Sequence, residues 1–105
     1  MSLPKFLQPY LASYDLARLD LEVDKRLIIT QILNWGDTKA TKWLLNKYEF
    51  EDLKEVVAKP ARGMWAPKAL SYWQKILDVD VSASEYQSAI MDVNPQSELY
   101  GQIIP

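Results

Sequence analysis

The side chains that could do chemistry in this sequence are carboxylates, because its 105 residues include no histidine and no cysteine. Asp78 and Asp80 form an Asp-x-Asp pair, and Glu51 and Glu55 stand four residues apart on one face of a predicted helix. Hard metal ions prefer oxygen ligands of this kind. No further polar residues converge on either pair, and nothing predicts a pocket that would raise a carboxyl pKa for hydrolysis. We therefore expect no enzyme activity, no metal site and no cofactor.

Length and composition predict one small domain. The chain is 49% hydrophobic, which suffices for a single core. The absence of cysteine excludes a disulfide framework and favours a reducing compartment. No apolar run approaches the ~18 residues of a membrane span, and the N-terminus lacks the layout of a signal peptide. We expect a soluble, cytoplasmic protein that does not bind membranes.

Hydrophobic periodicity predicts an all-α fold, a compact bundle of four core helices at about 22–35, 38–48, 51–58 and 67–77. Asp20 is placed to cap the first helix, and Gly36 is expected to end it in the left-handed conformation. Asp37 should cap the second helix, and Pro67 suits the first position of the fourth. A capping box at 82–85 predicts a marginal fifth helix, followed by an extended tail.

The apolar positions of these helices define the expected core. The spacing places Trp35, Trp43 and Trp73 on apolar faces, where tryptophan packs rather than stacks on bases. Five residues of the fourth helix are expected to face the core: Ala69, Leu70, Tyr72, Trp73 and Ile76.

Charge divides the chain into a helical domain, 1–77, and an acidic, partly apolar C-terminal tail, 78–105. Residues 39–75 carry eight cations and four anions, whereas residues 76–105 carry five anions and no cation. The two parts either contact each other or bind separate partners, unless both charges simply face solvent.

The short link between the first two helices resembles a helix-turn-helix corner, in which a glycine-containing turn sets a steep crossing. If the second helix read DNA, its groove-facing residues would be Thr38, Lys39, Thr41 and Lys42. The alternative is an ordinary corner with a solvated lysine face.

Two further segments contain residue types that are enriched in protein interfaces. In the loop 59–66, Arg62 and Trp65 are candidate anchors, although Trp65 could instead cover the core. The tail combines acidic and isolated apolar residues, as in segments that order on a partner, and it could instead pack on its own basic body. Its candidate partner-binding residues are Asp80, Glu85, Tyr86, Ile90 and Asp92.

An ordered set of residues across 5–77 carries a family resemblance. It comprises Leu19-Asp20, Ile29, Leu33-Asn34-Trp35-Gly36-Asp37, Trp43-Leu44-Leu45, Tyr48, Leu53-Lys54-Glu55-Val56-Val57, Pro67-Lys68-Ala69-Leu70 and Tyr72-Trp73. In this order the residues resemble a family of small, uncharacterised prokaryotic helical proteins, often encoded beside nucleotidyltransferases of the abortive-infection toxin type. The resemblance implies a cytoplasmic, antitoxin-like or accessory protein whose partner is a nucleotidyltransferase.

The sequence thus predicts a non-enzymatic protein-binding module, and the resemblance implies that its partner is a nucleotidyltransferase encoded nearby. One alternative is a helix-turn-helix protein that binds DNA through residues 38–48. A second alternative is a structural domain that forms a homodimer.

Overall fold

The computed structural model describes residues 3–11 and 14–91. These residues form five α-helices, α1 (Lys25–Trp35), α2 (Thr38–Lys47), α3 (Phe50–Ala58), α4 (Pro67–Leu77) and α5 (Ala83–Ala89). Two short 3-10 helices, Lys5–Leu11 and Leu16–Arg18, precede them. The predicted all-α bundle of four core helices with a short fifth helix is confirmed. No helix within the described part of the chain has the length and apolar character needed to cross a membrane.

The start of α1 lies three residues later than predicted because Asp20 organises a turn before it. The Asp20 carboxylate accepts hydrogen bonds from the backbone N–H groups of Glu22 and Val23, each at 2.8 Å. These bonds favour the ionised carboxylate and lower the pKa of Asp20. Residues 21–24 therefore form a turn, and α1 begins at Lys25.

The core is organised around α1, which contacts the first 3-10 helix, α2, α3 and α4. Because two faces of α1 are covered, Ile28, Ile29, Ile32 and Leu33 are all buried. Polar contacts fix the neighbouring elements. The Lys25 ammonium forms an ion pair of 3.0 Å with Asp52 of α3, and the Tyr48 hydroxyl donates to the Leu21 carbonyl at 2.7 Å.

Gly36 ends α1 in an extended conformation, with φ −69° and ψ 149°, so the predicted left-handed conformation is wrong. Glycine is instead favoured at this position because the structure leaves no room for a Cβ atom. A Cβ atom would lie 2.6 Å from the Ile32 carbonyl oxygen and 3.1 Å from the Ala40 Cβ atom. The two-residue link thus allows α1 and α2 to approach closely, while Asp37 caps α2 as predicted by accepting from the Ala40 N–H at 2.8 Å.

Three side chains that were predicted to be buried are largely exposed. Trp35 is 47% exposed, Tyr72 56% and Ile76 52%. The fully buried positions of α4 are Leu70 and Leu77, two turns apart, so the helix is rotated relative to the predicted inward face. Trp43 and Trp73 are half-buried against the core, in agreement with the prediction for those two residues.

After α4 the chain returns to the body of the protein. Ser82 caps α5 by accepting from the Glu85 N–H at 3.2 Å, which is one of the two hydrogen bonds of the predicted capping box; the Glu85 carboxylate accepts from the Ser82 hydroxyl at 3.1 Å. The end of α5 then pairs with the loop before α4: the Trp65 N–H donates to the Ala89 carbonyl, and the Met91 N–H donates to the Trp65 carbonyl, both at 2.9 Å. The described part of the predicted tail is therefore attached to the helical body.

Candidate binding cleft between α2 and α4

A cleft of about 590 Å³ opens where the end of α1, the start of α2 and the first half of α4 meet. Its lining residues come from the segment 33–37, which we call its base, from Thr38, Thr41 and Lys42 of α2, which form one wall, and from the segment 66–73, which forms the other.

Two side chains hold the base of the cleft to its α4 wall. The Asn34 amide donates to the Met64 carbonyl at 2.8 Å, and its side-chain oxygen accepts from the Ala66 N–H at 2.9 Å. The Trp73 indole N–H donates to the Leu33 carbonyl at 2.9 Å. This last bond satisfies one of the carbonyls that an α-helix leaves unpaired at its C-terminal end. The cleft is therefore preformed by side-chain contacts between distant segments.

The α2 wall contains three of the four residues predicted to face DNA. Thr38, Thr41 and Lys42 line the cleft, whereas Lys39 does not. The Lys39 ammonium lies 4.4 Å from the centre of the Phe6 ring, in a cation–π contact with the first 3-10 helix. The structure thus brings together three of the four side chains predicted to contact DNA and places Lys39 elsewhere.

The α4 wall contributes Lys68, Tyr72 and Trp73. A second cleft of about 390 Å³ adjoins it, shares Lys68 and Tyr72, and adds Lys75. We call the group of Lys42, Lys68, Tyr72 and Lys75 the lysine–tyrosine surface. Its three lysines form no ion pair with any other residue among those described.

The two residues predicted as interface anchors in the loop 59–66 differ in exposure. Arg62 is exposed, but Trp65 is fully buried and belongs to the core, which is the alternative predicted for it. Gly63 beside them adopts a left-handed conformation with φ 67°, and its N–H donates to the Ser88 carbonyl at 2.9 Å. Trp65 has no surface to offer a partner in this conformation.

The residues predicted as interface anchors in the tail also differ in exposure. Asp80 and Glu85 are exposed, whereas Tyr86 and Ile90 are half-buried and pack against the core. The Tyr86 hydroxyl donates to the Pro67 carbonyl at 3.0 Å and lies 2.8 Å from the Ser71 hydroxyl. Two of these side chains therefore contact the protein's own body, the alternative predicted for the tail. Asp92 lies outside the described residues.

One carboxylate of the Asp-x-Asp pair, Asp78, has a structural role at the end of α4. Asp78 is the C-cap of α4, in the left-handed conformation with φ 55°. Within residues 3–11 and 14–91, no group of three or more histidine, cysteine, aspartate or glutamate residues is placed to hold a metal ion. The groups that the described cleft residues offer are ammonium groups, hydroxyls and exposed aromatic surface.

Most cleft residues were not predicted as site residues from the sequence, among them Asn34, Lys68, Tyr72 and Trp73. Lys68 was correctly placed outside the core, but no pattern connected it with Lys42. Tyr72 was wrongly placed inside. The polar Asn34 near the end of an apolar helix was the one available signal of a side chain that bonds to another segment.

The Asp37 carboxylate at the edge of the cleft predicts a measurable pH dependence. Its bond from the Ala40 N–H lowers its pKa in the folded protein, so the ionised form stabilises the fold. That contribution is present above the unfolded pKa of about 3.9 and is lost as the pH falls through the lower folded value. Asparagine also caps helices well, so Asp37→Asn should fold at pH 7 and lose less stability in acid. Thermal unfolding of both proteins between pH 7 and pH 2 tests this, and parallel curves would contradict it.

Comparison with known proteins gives one match. Residues 8–57 match the model of a family of unknown function (DUF6922). No curated protein and no solved structure matches the chain significantly. The resemblance to an uncharacterised family is thus supported from the first 3-10 helix into α3. The matched stretch includes the base and the α2 wall of the cleft, and it ends before the α4 wall.

Proposed function

We propose that this chain is a cytoplasmic, non-enzymatic protein-binding module whose partner docks in the cleft between α2 and α4. The observation that carries the proposal is Tyr72, a large aromatic side chain left 56% exposed beside unpaired lysines in a preformed cleft. Aromatic anchors of this kind contribute a large share of binding energy at protein interfaces.

The surroundings of Tyr72 support a protein as the ligand. Ile76 lies one turn further along α4 and is also exposed, so the helix presents apolar surface beyond the cleft. The Tyr72 ring packs edge-on against the Trp73 ring, with centroids 5.1 Å apart, and Trp73 is itself bonded to α1. The anchor is therefore held in place before binding, which lowers the entropic cost of ordering it.

The resemblance supplies the identity of the proposed partner. Proteins of the family that the sequence resembles are often encoded beside nucleotidyltransferases of the abortive-infection toxin type. We therefore propose a nucleotidyltransferase encoded by the adjacent gene as the partner, with an antitoxin-like or accessory role for this chain.

Co-expression with the adjacent nucleotidyltransferase tests the proposal. We expect the two proteins to co-purify and the growth defect caused by the enzyme alone to be relieved. No complex and no relief, with both proteins soluble, would overturn the proposed partner. Size-exclusion chromatography of the chain alone would then detect the homodimer predicted as an alternative.

Substitution of Tyr72 localises the interface. Tyr72→Ala should weaken the complex by about 2 kcal/mol, roughly 30-fold, because the ring is a preorganised exposed anchor. Phe50→Ala is the matched control, since Phe50 is a similarly exposed aromatic residue at the start of α3 and lines no part of the cleft. Isothermal titration with the purified enzyme measures both. Equal losses for the two variants would argue against the cleft as the binding site.

A second candidate is DNA binding, favoured by one observation. Thr38, Thr41 and Lys42 of α2 line the same cleft as Lys68, so a cation from α4 joins three of the predicted groove-facing residues. If these lysines contact phosphates, affinity for duplex DNA should fall steeply with salt. A weak, salt-independent interaction would discard this candidate.

A further inference from the structure

We propose that the segment of the partner protein that occupies this site is acidic, with two carboxylates separated by an apolar side chain. The inference rests on the proposed function and specifies the chemistry of its partner. It is carried by the lysine–tyrosine surface, of which only Lys42 was predicted from the sequence as a site residue.

The spacing of three residues on α4 determines the spacing of acidic and apolar side chains expected in the partner segment. Lys68, Tyr72 and Lys75 stand at i, i+4 and i+7, positions that lie along one face of an α-helix. At a rise of 1.5 Å per residue, the two lysines are about 10 Å apart along the axis, with the tyrosine between them. A complementary segment therefore presents acid, apolar side chain and acid over the same distance.

The α2 wall adds a third cation. Lys42 lines the same cleft as Lys68, so this cleft carries ammonium groups from both α2 and α4. No other described residue neutralises these lysines, and their charge is available to a partner. Opposite charges arranged in this way steer association and fix the register of an interface.

The same cleft disfavours a nucleic acid strand. Each strand of a B-DNA duplex carries a phosphate for about every 3.4 Å of helix axis, so it would place about three negative charges over the axial span in which α4 offers two cations. The Asp37 carboxylate also lines the cleft and would repel a continuous polyanion. A peptide with separated carboxylates avoids this repulsion, and its backbone N–H groups are suitable donors to Asp37.

Charge reversal tests the proposal with the purified adjacent nucleotidyltransferase as the probe. We expect Lys68→Glu and Lys75→Glu each to weaken binding about tenfold, and the double variant about 100-fold, because each replaces an attraction by a repulsion. Lys47→Glu is the matched control: it makes the same charge change at an exposed lysine at the end of α2, outside both clefts. It should change the affinity less than threefold. Far-UV circular dichroism verifies that all variants are folded.

The outcomes separate the two proposals. If the wild-type chain does not bind the enzyme, the proposed function fails. If it binds and the double variant binds equally well, the proposed function stands and the acidic segment is overturned. If the wild-type chain binds single-stranded or duplex DNA instead, and the double variant loses that binding, the site takes phosphate and the proposal is also overturned. Selective loss of enzyme binding in the α4 variants supports the acidic segment.

Discussion

Replacement of Trp65 by alanine is expected to lower the free energy of unfolding by about 3–5 kcal/mol, the range for loss of a large buried aromatic side chain. Trp65 is fully buried, and its backbone forms two of the hydrogen bonds that attach the end of α5. The cavity left by the indole would therefore loosen both the core and the attachment of α5. A loss of this size is a large fraction of the stability of a typical small domain.

Two further variants, Trp35→Ala and Trp65→Phe, are the controls for this prediction. Trp35→Ala removes the same side chain from a position that is 47% exposed, so we expect it to cost less than about 1.5 kcal/mol. Trp65→Phe retains most of the packing, and the Trp65 indole nitrogen has no hydrogen-bond partner among the described residues to lose. It should cost about 1–2 kcal/mol. Urea unfolding of the three variants tests the order, and equal losses for Trp65→Ala and Trp35→Ala would contradict the burial of Trp65.

Replacement of Gly36 by alanine is expected to destabilise the protein by about 3 kcal/mol, because overpacking forces backbone movement. The added Cβ atom would lie 2.6 Å from the Ile32 carbonyl oxygen, which belongs to the backbone of α1 and cannot rotate away. The helices must therefore separate. Since Gly36 also lines the cleft, the variant should bind the proposed partner poorly even at temperatures at which it remains folded.

Gly63→Ala is the control that separates crowding from backbone conformation. Gly63 has a positive φ of 67°, but a Cβ atom there would meet nothing within 4 Å. We expect a cost of about 1 kcal/mol, from the strained conformation alone, and no effect on the cleft. Differential scanning calorimetry with partner titration measures both quantities. A milder effect at Gly36 than at Gly63 would refute the role assigned to the close approach of α1 and α2.

The helices could be predicted because their signals are local. The apolar spacing of α1, the cap at Asp37, the proline at the start of α4 and the capping box of α5 each depend on residues within one or two turns. The rotation of α4 was missed for the opposite reason. Tyr72 and Ile76 are apolar and correctly spaced for burial, but which side of α4 faces α1 and α3 is decided by the packing of the whole bundle.

The cleft could be predicted only in part for the same physical reason. Lys42 was identified on its own helix, but Lys68 is 26 positions away in the sequence and lines the same cleft only through tertiary packing. Asn34 bonds to Met64 and Ala66, again across about 30 residues. Local patterns do not identify the partner residues of such contacts. The role of Trp65 was ambiguous because arginine, glycine and methionine beside it are equally typical of an interface and of a loop over a core.

The two side-chain bonds at the base of the cleft also have a consequence for the order of folding. Contacts between neighbouring helices close short loops and form early, whereas the bonds from Asn34 to Met64 and from Trp73 to Leu33 close loops of about 30 and 40 residues. The site is therefore complete only after α4 has docked on α1. A growing or truncated chain has no cleft until residue 73 is available, so a partner that binds there selects finished copies of the domain over folding intermediates.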